Sequence, residues 1–68
     1  MNEETFNLSI RKFLKMVGVN SQREIEQAVD KALKEGRIAG TETFPVDATL
    51  EIPALGLKVR FDGEIKLQ

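Results

Sequence analysis

The chain has 68 residues, a net charge of −1 and no histidine, cysteine, tryptophan or tyrosine. It therefore lacks the side chain that titrates near neutral pH, the thiol nucleophile and the commonest zinc ligands, and its charge gives no overall attraction to nucleic acid. We expect a single non-catalytic domain over residues 1–68, without a metal or other cofactor. The absence of cysteine and of an apolar leader favours a cytoplasmic protein with no membrane contact.

A first helix is predicted over residues 2–17. Asn2 is a suitable N-cap, and Glu3 and Glu4 follow it in the first turn, where the helix dipole favours negative charge. Gly18 is expected to end the helix, because glycine readily adopts the left-handed conformation found at C-terminal caps. Apolar residues recur at helical spacing and predict one buried stripe, formed by Phe6, Ile10, Phe13, Leu14 and Val17.

A second helix is predicted over residues 22–35. Ser21 and Glu24 have the spacing of a capping box, and Gly36 is expected to end this helix. The short connection between the two helices predicts an αα-hairpin. The second helix has its own apolar stripe, formed by Ile25, Ala28, Val29, Ala32 and Leu33.

Two strands are predicted over residues 44–52 and 57–67, joined by a four-residue turn at 53–56. Apolar and polar residues alternate along both segments, which is typical of strands with one face in water. The turn length sets the register between the strands, with these opposed pairs: Ile52 and Leu57, Leu50 and Val59, Ala48 and Phe61, Val46 and Gly63.

The dipeptide Asp62-Gly63 is typical of two-residue hairpin turns, but a turn there would put Phe61 opposite Glu64. An apolar and a charged side chain would then share one face, so we favour an uninterrupted second strand. In such a strand Gly63 is expected to mark a bend, a bulge or the close approach of a helix. A three-residue loop at residues 62–64 also preserves the alternation and would give three strands.

These elements predict a two-layer α+β fold in the order ααββ. The αα-hairpin packs on one face of an antiparallel β-hairpin, which the loop alternative extends to three strands. A two-stranded sheet exposes two edges, and the second strand contains no proline to block its own. We therefore expect a two-fold dimer through the free edge of the second strand.

The first helix also carries a candidate partner surface on the face opposite its apolar stripe. Arg11, Lys12 and Lys15 lie there with Leu8 among them, which favours an acidic protein or a phosphate as ligand. A solvated basic face with one exposed leucine is the more common explanation. The turn before the second helix resembles a helix-turn-helix motif, but the acidic residues of that helix would be repelled by DNA phosphates.

Three carboxylates share the polar face of the predicted β-hairpin. The register places Asp47 opposite Asp62, with Glu64 two residues further along. Such a group could hold Ca²⁺ or Mg²⁺, or share a raised pKa for acid–base chemistry. The face is open to water and Arg60 lies diagonally across it, so we expect an ordinary solvated surface without a metal site.

Four runs of sequence resemble a small bacterial family of about this length whose function is uncharacterised. They are NEETFN at 2–7, SIRKFLK at 9–15, VGVNSQREIE at 17–26 and FDGEI at 61–65. The resemblance spans nearly the whole chain and implies a complete native protein. It implies no catalytic or binding residues.

The function expected from these features is protein–protein interaction or self-association, with an unknown protein or a second copy as the partner. No small-molecule substrate is evident. The alternative is a nucleic-acid-binding protein that uses the basic face of the first helix and the inter-helix turn, although the acidic second helix disfavours nucleic acid.

Overall fold

A computed structural model describes residues 1–68 and contains one long helix followed by a β-hairpin. Helix α1 spans Glu3–Lys34, strand β1 spans Thr43–Ile52 and strand β2 spans Leu57–Lys66. A short 3-10 helix, Pro53–Leu55, joins the two strands. The chain divides into two compact units, Met1–Arg37 and Ile38–Gln68. The first unit is the helix with its caps, and the second is the hairpin with the loop that precedes it.

Both ends of α1 are capped by residues that were predicted from the sequence. The Thr5 N–H donates to the side-chain oxygen of Asn2 over 3.1 Å, which confirms Asn2 as the N-cap. At the other end Gly36 has a φ of 70°. The Gly36 N–H donates to the Leu33 carbonyl and the Arg37 N–H donates to the Ala32 carbonyl, the two hydrogen bonds of a Schellman motif.

The prediction of two helices is wrong. The helix continues through Gly18, Ser21 and Glu24, so there is no αα-hairpin and the element order is α, β, β. Gly18 does not have the positive φ that a left-handed cap needs. A glycine inside a helix costs only about 1 kcal/mol relative to alanine, which good helix formers a few residues away, such as Met16 and Gln22, can offset. Ser21 and Glu24 therefore lie within the helix, where no free N–H groups need capping.

Replacing Gly18 with alanine is expected to raise the free energy of unfolding by about 0.5–1 kcal/mol, because alanine orders more readily in a helix. A Cβ atom at Gly18 would meet nothing within 4 Å, so no clash opposes the gain. Urea unfolding followed by circular dichroism measures the change. Gly56→Ala is the control and should destabilise, since Gly56 has a φ of 63°. A loss of stability in Gly18→Ala would show that the chain reverses at Gly18 in solution.

The hairpin has the predicted register, and this prediction is confirmed. All four predicted pairs are present, from Ile52 opposite Leu57 to Val46 opposite Gly63. Strand β2 runs without interruption through Asp62 and Gly63, so the three-strand alternative is wrong. Gly63 marks neither a bulge nor a helix contact, because the pairing continues past it and a Cβ atom placed at Gly63 would meet only the Val46 side chain, at 3.6 Å.

The hydrogen-bond pattern of the hairpin determines which backbone groups point away from it. The Leu67 N–H donates to the carbonyl of Glu42, and these two residues form the next opposed pair beyond Thr43 and Lys66. Hydrogen-bonded and non-hydrogen-bonded pairs alternate in antiparallel sheets, so the even-numbered residues of β2 direct their N–H and C=O groups outward. In β1 the odd-numbered residues point outward. Pro45 is one of these, and its missing N–H therefore costs the hairpin no internal hydrogen bond.

Very little of the chain is buried. Ala32 is the one buried residue, with 8% of its surface exposed. Ile25 and Val29 on the same helix are half-buried, as are several apolar residues of the hairpin unit. The first apolar stripe was expected to be buried, but all five of its side chains are exposed in the single chain. One of the expected covering elements, the second helix of the predicted αα-hairpin, does not exist.

Candidate interaction surfaces

The apolar stripe of α1 consists of Phe6, Ile10, Phe13, Leu14 and Val17. Their exposed fractions range from 37% at Val17 to 55% at Leu14. The spacing of these residues places them on one side of a continuous helix, and no charged residue lies between them on that side. This is an unusually apolar surface to leave in water, because a lone exposed leucine is ordinary but a contiguous patch is not.

The basic surface of α1 consists of Leu8, Arg11, Lys12 and Lys15, and all four are exposed. None of the three cations takes part in any of the four salt bridges of the chain. An open depression beside them is lined by Glu4, Asn7, Leu8 and Arg11. The inter-helix turn that the nucleic-acid alternative also required is absent, because residues 18–21 are helical.

The polar face of the hairpin brings Asp47 and Asp62 together as the register predicted. Arg60 forms an ion pair with each of them. Its Nη2 atom is 3.1 Å from Asp47 Oδ2, and its Nε atom is 3.0 Å from Asp62 Oδ1. The chain contains no group of three acidic side chains that could hold a metal ion. Arginine pairing is the chemistry that this arrangement supports, and all three side chains are more than half exposed.

The outer edge of β2 has no strand partner in the single chain. Its outward backbone groups belong to residues that also carry every charge of the strand. The charges run positive, positive, negative, negative, positive along the edge. These residues form the β2 edge: Lys58, Arg60, Asp62, Glu64 and Lys66. Alternation predicted their common face, but the outward direction of their backbone groups required the observed hydrogen-bond pattern.

Glu42 has a structural role that the sequence did not predict. Its carboxylate accepts hydrogen bonds from the N–H groups of Ala39, Gly40 and Thr41 at 2.8–3.0 Å. The hydrogen bond from Ala39, with those from Gly40 and Thr41, lowers the pKa of Glu42 from its ordinary value near 4.5. The carboxylate thus holds the loop in place just before β1 begins. Its position directly before the first strand residue was the only available signal.

The lowered pKa of Glu42 makes part of the stability depend on pH. Since the folded-state pKa is below the unfolded one, this stabilisation is present above pH 4.5 and is lost as the pH falls through the folded-state pKa. We expect Glu42→Gln to melt at a lower temperature than the parent at about pH 7, and the difference to shrink as the pH falls below 4.5 and through the folded-state pKa. Glu51→Gln is the control. A difference between parent and Glu42→Gln that does not shrink on acidification would contradict the assignment.

No helix of the chain combines the length and the apolar character needed to span a membrane. No curated protein and no solved structure matches the chain. One family model matches residues 1–68 in full. The resemblance to an uncharacterised family is thereby confirmed, and the chain belongs to a family of unknown function (DUF6494).

Proposed function

We propose that this protein is a non-catalytic self-association module, in which a second copy covers apolar surface that the single chain leaves in water. The observation that carries the proposal is the burial pattern. One residue of the chain is buried, whereas Phe6, Phe13 and thirteen other large apolar side chains are at least 36% exposed. A folded chain of this size needs more burial than this, because small domains have little stability to spare.

The exposed apolar area has the size that a specific dimer requires. A whole aromatic side chain presents about 150–250 Å², so a half-exposed Phe6 or Phe13 leaves on the order of 100 Å² in water. The five residues of the apolar stripe then leave roughly 400 Å² of apolar surface per chain. A standard interface buries about 800 Å² per partner, of which a little more than half is apolar. The exposed apolar area of the stripe alone is therefore close to the apolar area that one partner buries in a standard interface.

A second copy is the simplest partner for this chain. Small domains that do not associate are commonly stabilised by disulfides or by structural metals. The chain has no cysteine and no group of acidic side chains that could hold a metal ion. A two-stranded hairpin is also only marginally stable alone and gains from additional strands or cover. Both units of the chain therefore offer surfaces that a second copy could complete.

Sedimentation over a concentration series tests the proposal, with the melting temperature followed in parallel. We expect a dimer or larger species at micromolar concentration and a melting temperature that rises with concentration, because association with the folded state stabilises it. Phe13→Ser should shift the equilibrium toward monomer, and Leu8→Ser is the control on the opposite face of the helix. A parent protein that stays monomeric with concentration-independent melting would exclude self-association and leave an outside partner.

A further inference from the structure

We propose that two copies join through the outer edges of β2 in one particular register, with Phe61 on the two-fold axis, to form a four-stranded antiparallel sheet. This inference rests on the self-association proposed above and names one of its surfaces. The even-numbered residues of β2 direct their N–H and C=O groups outward, so in the new pairing they must form the hydrogen-bonded pairs.

The charge sequence of the β2 edge selects the register. When Phe61 lies on the axis, Arg60 faces the partner's Asp62 and Lys58 faces the partner's Glu64. Two-fold symmetry repeats both pairs, so every charged residue from Lys58 to Glu64 faces an opposite charge. Opposite charges directly across strands are favourable, and like charges are unfavourable. The edge is thus complementary to itself.

Neighbouring registers lose this complementarity. With Asp62 on the axis, Asp62 faces its own copy and Lys58 faces Lys66. With Arg60 on the axis, two arginines face each other. With Gly63 on the axis, Asp62 faces Glu64 and Arg60 faces Lys66. Each of these registers places like charges in directly opposed pairs, which is unfavourable for strand pairing.

The opposite face of the sheet agrees with the same register. Phe61 then meets its own copy, Val59 faces Gly63 of the second copy and Leu57 faces Ile65. All of these pairs are apolar. Phe61 is 59% exposed in the single chain, more than any other phenylalanine. Residues on an antiparallel two-fold axis in a non-hydrogen-bonded pair have closely spaced side chains, so the two rings can cover each other.

The outer edge of β1 does not offer an equivalent surface. Its outward residues carry only negative charge, at Asp47 and Glu51, so two copies could present no opposite charges to each other. Pro45 also lacks the N–H that an added strand would need there. The edge of β2 is therefore the one at which a second copy would pair.

Oxidative cross-linking tests the register, since the native chain has no cysteine. In Phe61→Cys the two introduced thiols would face each other across the axis, and we expect rapid formation of a covalent dimer. Val59→Cys is the control. Val59 faces Gly63 of the second copy, so its two copies lie more than about 7 Å apart and cannot be bridged. Efficient cross-linking at residue 59 with none at residue 61 would overturn the register.

Charge reversal provides the second test. Lys58→Glu and Glu64→Lys should each weaken the dimer by about tenfold, because each places two like-charged pairs in the interface. An equimolar mixture of the two variants should recover much of the parent affinity, because both pairs of the mixed dimer have opposite charges. One is the native pair of Lys58 with Glu64, and the other is the same pair with its two charges exchanged. Lys66→Glu is the control, because Lys66 faces the uncharged Gly56 in this register.

The two proposals fail in different ways. A monomeric parent protein would overturn self-association and the register together. A parent dimer that does not cross-link through Phe61→Cys, or whose affinity is unchanged by both Lys58→Glu and Glu64→Lys, would overturn the register alone. In that case self-association would stand, and the apolar stripe of α1 would be the remaining surface.

Discussion

Replacing Ala32 with aspartate is expected to unfold most of the protein at room temperature. Ala32 is the only buried residue, so a carboxylate at this position would lose its hydration without gaining a partner. The cost is on the order of 3 kcal/mol or more, comparable with the total stability of a small domain. Far-UV circular dichroism, which is sensitive to helix content, would show the loss.

Ala28→Asp is the matched control for this substitution. Ala28 lies one turn earlier in α1 and is exposed, so the variant has the same reduced helix propensity without the burial of a charge. We expect it to lose only about 0.5–1 kcal/mol of stability. Equal effects of the two substitutions would mean that the surroundings of Ala32 are open to water in solution.

Replacing Val59 with proline is expected to abolish the β-hairpin. The alternation of hydrogen bonds assigns the Val59 N–H to the pair with Leu50, so proline removes a bond inside the ladder. The combined loss of the hydrogen bond and of an apolar side chain costs on the order of 3 kcal/mol. This exceeds the free energy of unfolding expected for a two-stranded sheet. Amide proton exchange measured by NMR would show loss of protection throughout β1 and β2.

Lys58→Pro is the companion variant, because the N–H of Lys58 points outward. The hairpin should survive, with protection retained on the inward amides. The same change removes an outward donor from the β2 edge, and sedimentation should shift toward monomer if two copies pair there. A collapse of the hairpin as complete as that in Val59→Pro would show that the inward and outward assignments are reversed.

The hairpin was predictable because its determinants are local. Side chains alternate with a period of two, and a four-residue turn leaves one register in which Leu50 meets Val59. The ends of the helix were predictable for the same reason, since Asn2 and Gly36 act on adjacent backbone groups. In each case a shift of one residue would place an apolar side chain on the charged face of the hairpin or leave a backbone group without a partner.

The course of the chain at Gly18 was not predictable from local signals. A glycine followed by Ser21 and Glu24 is compatible both with a turn and with an unbroken helix, and the two differ by about 1 kcal/mol of local preference. What decides between them is whether the apolar stripe finds a partner inside the chain. For the surfaces, helical spacing was enough to group Arg11, Lys12 and Lys15, but the role of Glu42 depends on a loop conformation that no pattern encodes.

The proline in β1 has a consequence for the behaviour of the protein at high concentration. Filaments grow when every added molecule presents a fresh edge, and a hairpin with two receptive edges could lengthen without limit. Pro45 leaves one of the two edges without a donor near the start of its strand. If two copies pair through their β2 edges, the four-stranded sheet has a β1 edge at each end. Neither end then readily accepts a further strand. In that arrangement the remaining strand edges would not promote the growth of fibres.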